Sequence, residues 1–200
     1  MSISPRLHML TASVARWLVV LSLCCALIIT AQEMPVPLRY QYPILLKTLT
    51  FDRNLKARCG NAIVLGILYQ SRFRQSVNVK DELVTIANES SYEFLDAHQI
   101  RVVPIDLSSE ASFEEQISAS GINTLYVAPL RAIDLATIST VTRKNKVLTL
   151  TGVPEYVEIG LSIGVGIRGD RPSLVINQPA SRAEGADLDS QLLKLARTIR

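Results

Sequence analysis

The chain is poor in the residues on which most site chemistry depends. Its 200 residues include three cysteines, two histidines and one tryptophan. Cys24, Cys25 and His8 all fall in the first 31 residues, which leaves Cys59 and His98 to the rest. One cysteine and one histidine are too few for a His/Cys metal centre. A lone cysteine cannot close an intramolecular disulfide either, and it reads as a small buried hydrophobe. No catalytic triad can be assembled, so no enzyme activity, metal or cofactor is expected. Internal repeats and low-complexity linkers are absent as well.

Charge of one sign is also lacking. The 21 Lys+Arg and 18 Asp+Glu give +3 overall. Residues 1–31 hold two of the basic residues and none of the acidic ones, so the remainder stands at +1. The basic balance mostly reports that leader and offers no nucleic-acid surface. Paired carboxylates such as Asp81-Glu82 and Glu114-Glu115 read as solvated helix faces or caps.

Residues 1–31 read as a secretory signal peptide. Arg6 and Arg16 precede an apolar run over 17–29, and Thr30-Ala31 offers a cleavage point. That run is shorter than the about 20 apolar residues a spanning helix needs. An uncleaved anchor is the alternative. The mature part, residues 36–200, has the size of one domain with a sizeable core.

The rest is organised around residues 155–177. Val157, Ile159, Leu161, Ile163, Val165 and Ile167 alternate with Glu158, Gly160, Ser162, Gly164, Gly166 and Arg168. A period of two predicts a strand with one apolar face and one nearly bare face. The bare face would let a helix or another backbone come close. Arg168-Gly169-Asp170-Arg171 suits a type II′ turn, and 172–176 is the return strand. Two motif matches fail here. Gly160-Leu161-Ser162-Ile163-Gly164 spells a nucleophile elbow but has no histidine downstream. Gly164-Val165-Gly166-Ile167-Arg168-Gly169 spells a dinucleotide fingerprint but opens no helix.

Upstream, strands and helices alternate. A helix is expected over 36–58, with Pro37 in its first turn, Gly60 as its stop and Pro43 either kinking it or marking its true start. Residues 62–69 are almost continuously apolar, as in a strand buried on both faces. A helix follows over 77–98, with Phe94 in its core face and His98 at its end. A strand over 101–105 carries Pro104, which suits an edge or a strand end. Ser112 with Glu115 forms a capping box for a short helix. A strand at 123–128, a helix at 130–143 and a strand at 146–150 lead to the hairpin. Residues 178–200 read as helix, capped by Asn177 and Ser181, interrupted at Gly185 and resumed after Asp187 or Asp189. The fold class is therefore α/β: a three-layer, doubly wound, mostly parallel sheet with a C-terminal β-hairpin.

Several short words follow one another in a set order: Leu45-Leu46-Lys47, Phe51-Asp52-Arg53, Thr149-Leu150-Thr151-Gly152, Val175-Ile176-Asn177, Arg182-Ala183-Glu184-Gly185-Ala186 and Leu192-Leu193-Lys194-Leu195-Ala196. Together they make the chain resemble the YfiR/HmsC-like family, over nearly all of residues 36–199. The resemblance implies a periplasmic α/β domain shaped like one lobe of a solute-binding protein. It implies a non-enzymatic regulator whose partner is an inner-membrane sensor or diguanylate cyclase, contacted through its periplasmic part, in cyclic-di-GMP signalling. Studied members carry several mature cysteines, whereas only Cys59 is present here. The alternative function is a small-ligand binder serving uptake or sensing. Its crevice would lie beyond the strand C-termini, lined by Gln70, Ser71, Ala128, Pro129, Thr151 and Gly152. Candidate ligand-binding residues are Ser71, Arg72, Thr151, Gly152, Asn177 and Arg182. Arg72 and Arg74, which flank Phe73, are either a solvated loop or a contact for an anion or partner. A homodimer is left open.

Overall fold

The computed structural model describes residues 34–89 and 93–200. The expected signal peptide lies outside them, as do residues 90–92 of the helix expected over 77–98. Residues 33–200 fall in one compact unit. Among the described residues no helix is long and apolar enough to cross a membrane.

In chain order the elements begin with α1 (Leu38–Leu49), α2 (Leu55–Cys59) and β1 (Ala62–Tyr69). Next come α3 (Arg74–Ala87), β2 (Phe94–Leu95), β3 (His98–Asp106), α4 (Phe113–Ser120) and β4 (Thr124–Val127). They continue through α5 (Leu135–Lys144), β5 (Leu148–Thr151), α6 (Pro154–Ile159), β6 (Ile163–Arg168) and β7 (Arg171–Asn177). The chain closes with α7 (Gln178–Ala183), α8 (Ser190–Leu195) and β8 (Arg197–Ile199). One eight-stranded sheet results, ordered β2-β3-β1-β4-β5-β6-β7-β8. The ladders β3–β1–β4–β5–β6 are parallel, and β6–β7 is antiparallel. The mixed, mostly parallel α/β sheet is thus the expected class.

Each sheet face carries its own core. Alternate residues of β1 divide between them: Ile63, Leu65 and Ile67 join one cluster, Val64 and Leu68 the other. The first is closed by Leu45, Leu46 and Leu49 of α1, Leu83 of α3 and Leu192 of α8. The second is closed by Ile117, Ile138 and Tyr156 of α4, α5 and α6. Burying such aliphatic side chains stabilises by about 1.5–3 kcal/mol each.

Four elements differ from expectation. Residues 154–159 are helix, not strand: Pro154 stands in the first turn, Glu155 follows it and Gly160 at φ 145° stops it. These are helix start and stop signals, and they outweigh a local period of two. The bare strand face is real and is what α6 packs on. A Cβ on Gly164 would lie 2.6 Å from Val157, and one on Gly166 would lie 3.2 Å from Pro154. Residues 36–58 are two helices, because the chain turns at Asp52, whose carboxylate accepts the Asn54 N–H. The first starts at Leu38 and keeps Pro43 inside it. The helix beginning at Arg74 ends at Ala87, so Phe94 is an exposed strand residue and His98 opens β3. At the C-terminus, residues 197–199 add a strand parallel to β7 instead of continuing a helix. Ser181 lies inside α7, where its hydroxyl donates to Gln178. Asn177 and Asp189 are the caps, accepting the N–H of Ala180 and Gln191.

Several expectations stand. The hairpin turns at Gly169 with φ 61°, the positive value a type II′ turn demands at its first central residue. Ser112 and Glu115 close their capping box. Pro104 pairs with Ile67 of β1 but lies beyond the two-residue reach of β2, on the open edge of β3.

Candidate functional site

The crevice beyond the C-terminal ends of β1, β4 and β5 is where an open α/β sheet usually takes a ligand. Here the chain fills it with its own first helix. Gln41, in the first turns of α1, is fully buried. Its amide oxygen accepts from the Tyr126 hydroxyl at 3.0 Å, and its amide nitrogen donates to the Val36 carbonyl. The Gln41 amide lies so close over Gly152 that a Cβ there would be 2.3 Å from its oxygen. Val36 and Leu38 are buried beside it, and Met34 packs against both cores. Burial pushes the Tyr126 phenol far above its usual range, so it remains a neutral donor.

The surrounding loops are fastened to one another. The Gln70 side chain accepts the Arg131 N–H at 2.6 Å and donates to the Arg131 carbonyl at 3.2 Å. Tyr156 does the same for Leu130, accepting its N–H at 2.8 Å and donating to its carbonyl at 3.3 Å. Burial pushes that phenol up to about 12. Asp106 accepts the N–H groups of Ser71 and Ser108. Partial burial raises the Asp106 carboxyl, yet the Ser108 and Ser71 hydrogen bonds outweigh it and hold the group below its ordinary value.

Four of the six candidate residues meet at this end of the sheet. Ser71 and Arg72 are exposed in the β1–α3 loop. The buried Thr151 hydroxyl donates to Val127 at 3.0 Å and accepts the Val153 N–H at 3.1 Å, so it is occupied by backbone. Gly152 lies beneath Gln41. The other two belong to the β7–α7 corner, two strands across from Thr151. Asn177 caps α7 and donates to the Val157 carbonyl at 3.0 Å, while Arg182 is exposed. The residues that do most to shape the crevice, Gln41 and Tyr126, escaped sequence reading. The available signal was a glutamine between Leu38 and Leu45 on the apolar stripe of α1.

Two hollows lie elsewhere. A groove of about 970 Å³ sits at the other end of the parallel strands, with Arg58, Cys59, Asn61, Asn145 and Lys146 in its lining. A smaller one of about 520 Å³ lies beside the hairpin, between Pro154, Ile167, Ser173 and Arg197. Cys59 is buried and free, and burial pushes its thiol up, which makes it a poor nucleophile. Among the described residues no group of three or more His, Cys, Asp or Glu is placed to hold a metal.

A family model described as YfiR/HmsC-like matches residues 53–197, which include the sheet from β1 to β7 and both crevice loops. The chain belongs to the YfiR/HmsC-like family. Membership supports a periplasmic regulator's role in broad terms. No curated protein sequence matches the chain. Among solved structures it is similar to a ligand-free, open substrate-binding protein with adhesive properties from Clostridium difficile. Identity is 18% and the TM-score 0.50, over 77% of this chain and 59% of that one. It is also similar to an ABC domain from Streptococcus pneumoniae in complex with L-Trp, at 14% identity and TM-score 0.49, over 78% and 60%. A conserved domain protein from Vibrio cholerae gives 14% and 0.49, over 83% and 61%. The chain spans about 60% of the length of these structures. At such identities the likeness is one of fold alone.

Proposed function

We propose that this chain is a periplasmic regulatory binding protein that restrains a membrane-bound signalling protein, such as a diguanylate cyclase, by contact with the partner's periplasmic part. The observation that carries this reading is the self-filled crevice. In a family of regulators, the place where a binding-protein lobe would hold a solute is taken by the chain's own Gln41, hydrogen-bonded on both sides of its amide. The surface is then what remains for recognition. Export through a leader at residues 1–31 belongs to the same reading, and mass spectrometry of the mature N-terminus tests it. Regulation is tested by cyclic-di-GMP levels in a deletion strain and by pull-down from membranes. Raised levels with a captured membrane protein are expected. Unchanged levels with no membrane partner would overturn the proposal.

The groove of about 970 Å³ favours a second reading, a small polar ligand bound at the opposite end from the crevice. A thermal-shift screen of metabolites decides between them, since a ligand that binds only the folded state raises the melting temperature. The regulatory reading expects no metabolite to do so.

A further inference from the structure

Three arginines stand on or beside the two loops at the mouth of the filled crevice. Arg72 lies in the β1–α3 loop and Arg74 is the first residue of α3, the two flanking Phe73, and Arg131 comes from the β4–α5 loop; all three are exposed. None takes part in an ion pair among the described residues, whereas Arg53, Arg58 and Arg197 all do. The acids of the neighbouring loops are engaged with their own surroundings. Asp106 holds the Ser71 and Ser108 N–H groups, and Asp134 holds the Ala136 N–H and the Thr137 hydroxyl. The Arg131 backbone is clamped by Gln70, and its guanidinium lies 5.4 Å from the centre of the Phe73 ring. That stacking orients the group before anything binds. The same loop opens α3, a 14-residue helix with no side-chain cap and no acidic residue in its first turn. Its free N–H groups and dipole add to the positive field of the arginines.

We infer that Arg72, Arg74 and Arg131 form a docking rim for a carboxylate-rich segment of the membrane partner's periplasmic part. This rests on the regulatory reading and adds the place and chemistry of contact. Guanidinium groups pair with carboxylates in a bidentate, directional way, which suits acidic side chains on a folded or extended segment. Anionic lipid is the weaker match, because polybasic membrane contact uses clusters of about four to eight basic residues. Filling the crevice and leaving its rim charged gives the old ligand end of the sheet a protein-binding role.

The test uses the purified chain, a double reversal R72E/R74E, and a control R168E/R171E that makes the same charge change at the hairpin. Fluorescent hexaglutamate is titrated at low and at physiological ionic strength. Binding should weaken with salt and fall by about tenfold or more in R72E/R74E, with the control within about twofold of wild type. Equal loss in both variants, or no binding to wild type, overturns the inference. Phosphatidylglycerol vesicles are run in parallel; co-sedimentation lost only in R72E/R74E would assign the rim to lipid and overturn it too. Should the reversal impair folding, as circular dichroism would show, R72Q/R74Q and R131Q give the same ranking with smaller losses. Membrane pull-down separates this inference from the reading beneath it. Capture by wild type and the control but not by R72E/R74E supports the rim. Equal capture by all three sinks the rim and leaves the regulator standing. Capture by none removes both.

Discussion

Asp52 and Glu184 are both buried carboxylates, and the fold holds them by different means. Asp52 sits where the chain turns between α1 and α2. It accepts from the Arg58 Nε and Nη2 atoms at 3.1 Å each and from the N–H groups of Asn54 and Asp187 at 3.0 and 2.8 Å. Through Asp187 and the bridge to Leu188 it ties the N-terminal helices to the segment that leads into α8. Among the described residues Glu184 has no cation. It accepts the Thr149 N–H at 2.8 Å, the hydroxyls of Thr142 and Thr149 at 2.8 and 3.0 Å, and the Ser162 hydroxyl. Those partners come from α5, β5 and the approach to β6, so one side chain gathers three elements. The difference teaches what each corner tolerates. A buried ion pair fails when either charge is left alone, while an acid held by hydroxyls can take up a proton and remain bonded.

The comparison is broken hardest at Asp52. Asp52→Ala leaves the Arg58 guanidinium, whose side chain is 5% exposed, without its counter-charge. It also strands the two N–H groups. A loss of about 3–5 kcal/mol is expected in urea unfolding. A variant within about 1 kcal/mol of wild type would mean that Arg58 finds another partner, with its existing bond to the Asn123 carbonyl as the nearest candidate.

A neutral buried group should fall below that. Gly152→Ala puts a methyl where the Gln41 amide lies and must push it from Tyr126. The displaced amide and phenol would cost about 1–3 kcal/mol. Adding Gln41→Ala should recover part of the loss, because the clash then vanishes. Thermal melts of the two single variants and the double variant give the coupling; strict additivity would argue that the two residues do not meet.

Glu184 is probed by pH. Burial raises its carboxyl above the ordinary 4.5, with the Ser162, Thr149 and Thr142 hydrogen bonds opposing that rise only in part. The folded state therefore binds the proton more tightly than the unfolded chain does. Stability from this group is complete below the ordinary value and is lost as pH rises through the raised one. Glu184→Gln keeps the shape and removes the titration. The wild type should gain on the variant as pH falls through that window, by at most about 1.4 kcal/mol per unit. Urea midpoints that run parallel across the window would show that Glu184 does not titrate in it.

Sequence reading reached different depths in different parts of the molecule. The apolar run 62–69 was matched residue for residue by β1, because burial on both faces leaves no other use for it. The capping box at Ser112 and the cap at Asn177 were legible because caps are local chemistry. α6 and β8 were not, since elements of six and three residues are decided by what they pack on. The crevice loops could be placed at the strand C-termini by topology alone. That Gln41 fills the crevice could not, because the pairing with Tyr126 joins residues 85 apart in sequence. Glu184 lay in plain view within Arg182-Ala183-Glu184-Gly185-Ala186, yet nothing local marks a glutamate as buried.

The smallest effect sharpens the comparison from outside the core. Glu158 and Arg197 meet at 2.7 Å, closer than Asp52 and Arg58, and each side chain is 53% exposed. Water screens the attraction and the two long side chains lose freedom to form it, so Glu158→Gln should cost at most about 1 kcal/mol. Added salt should shrink even that. Denaturation of this variant beside Asp52→Ala, at low and high salt, asks one question of two carboxylate–guanidinium pairs. If the exposed pair proved as costly to break as the buried one, separation would govern both, and burial would no longer explain why Asp52 organises its corner. A several-fold gap that salt leaves almost untouched at Asp52 would place the difference in the water each pair has given up.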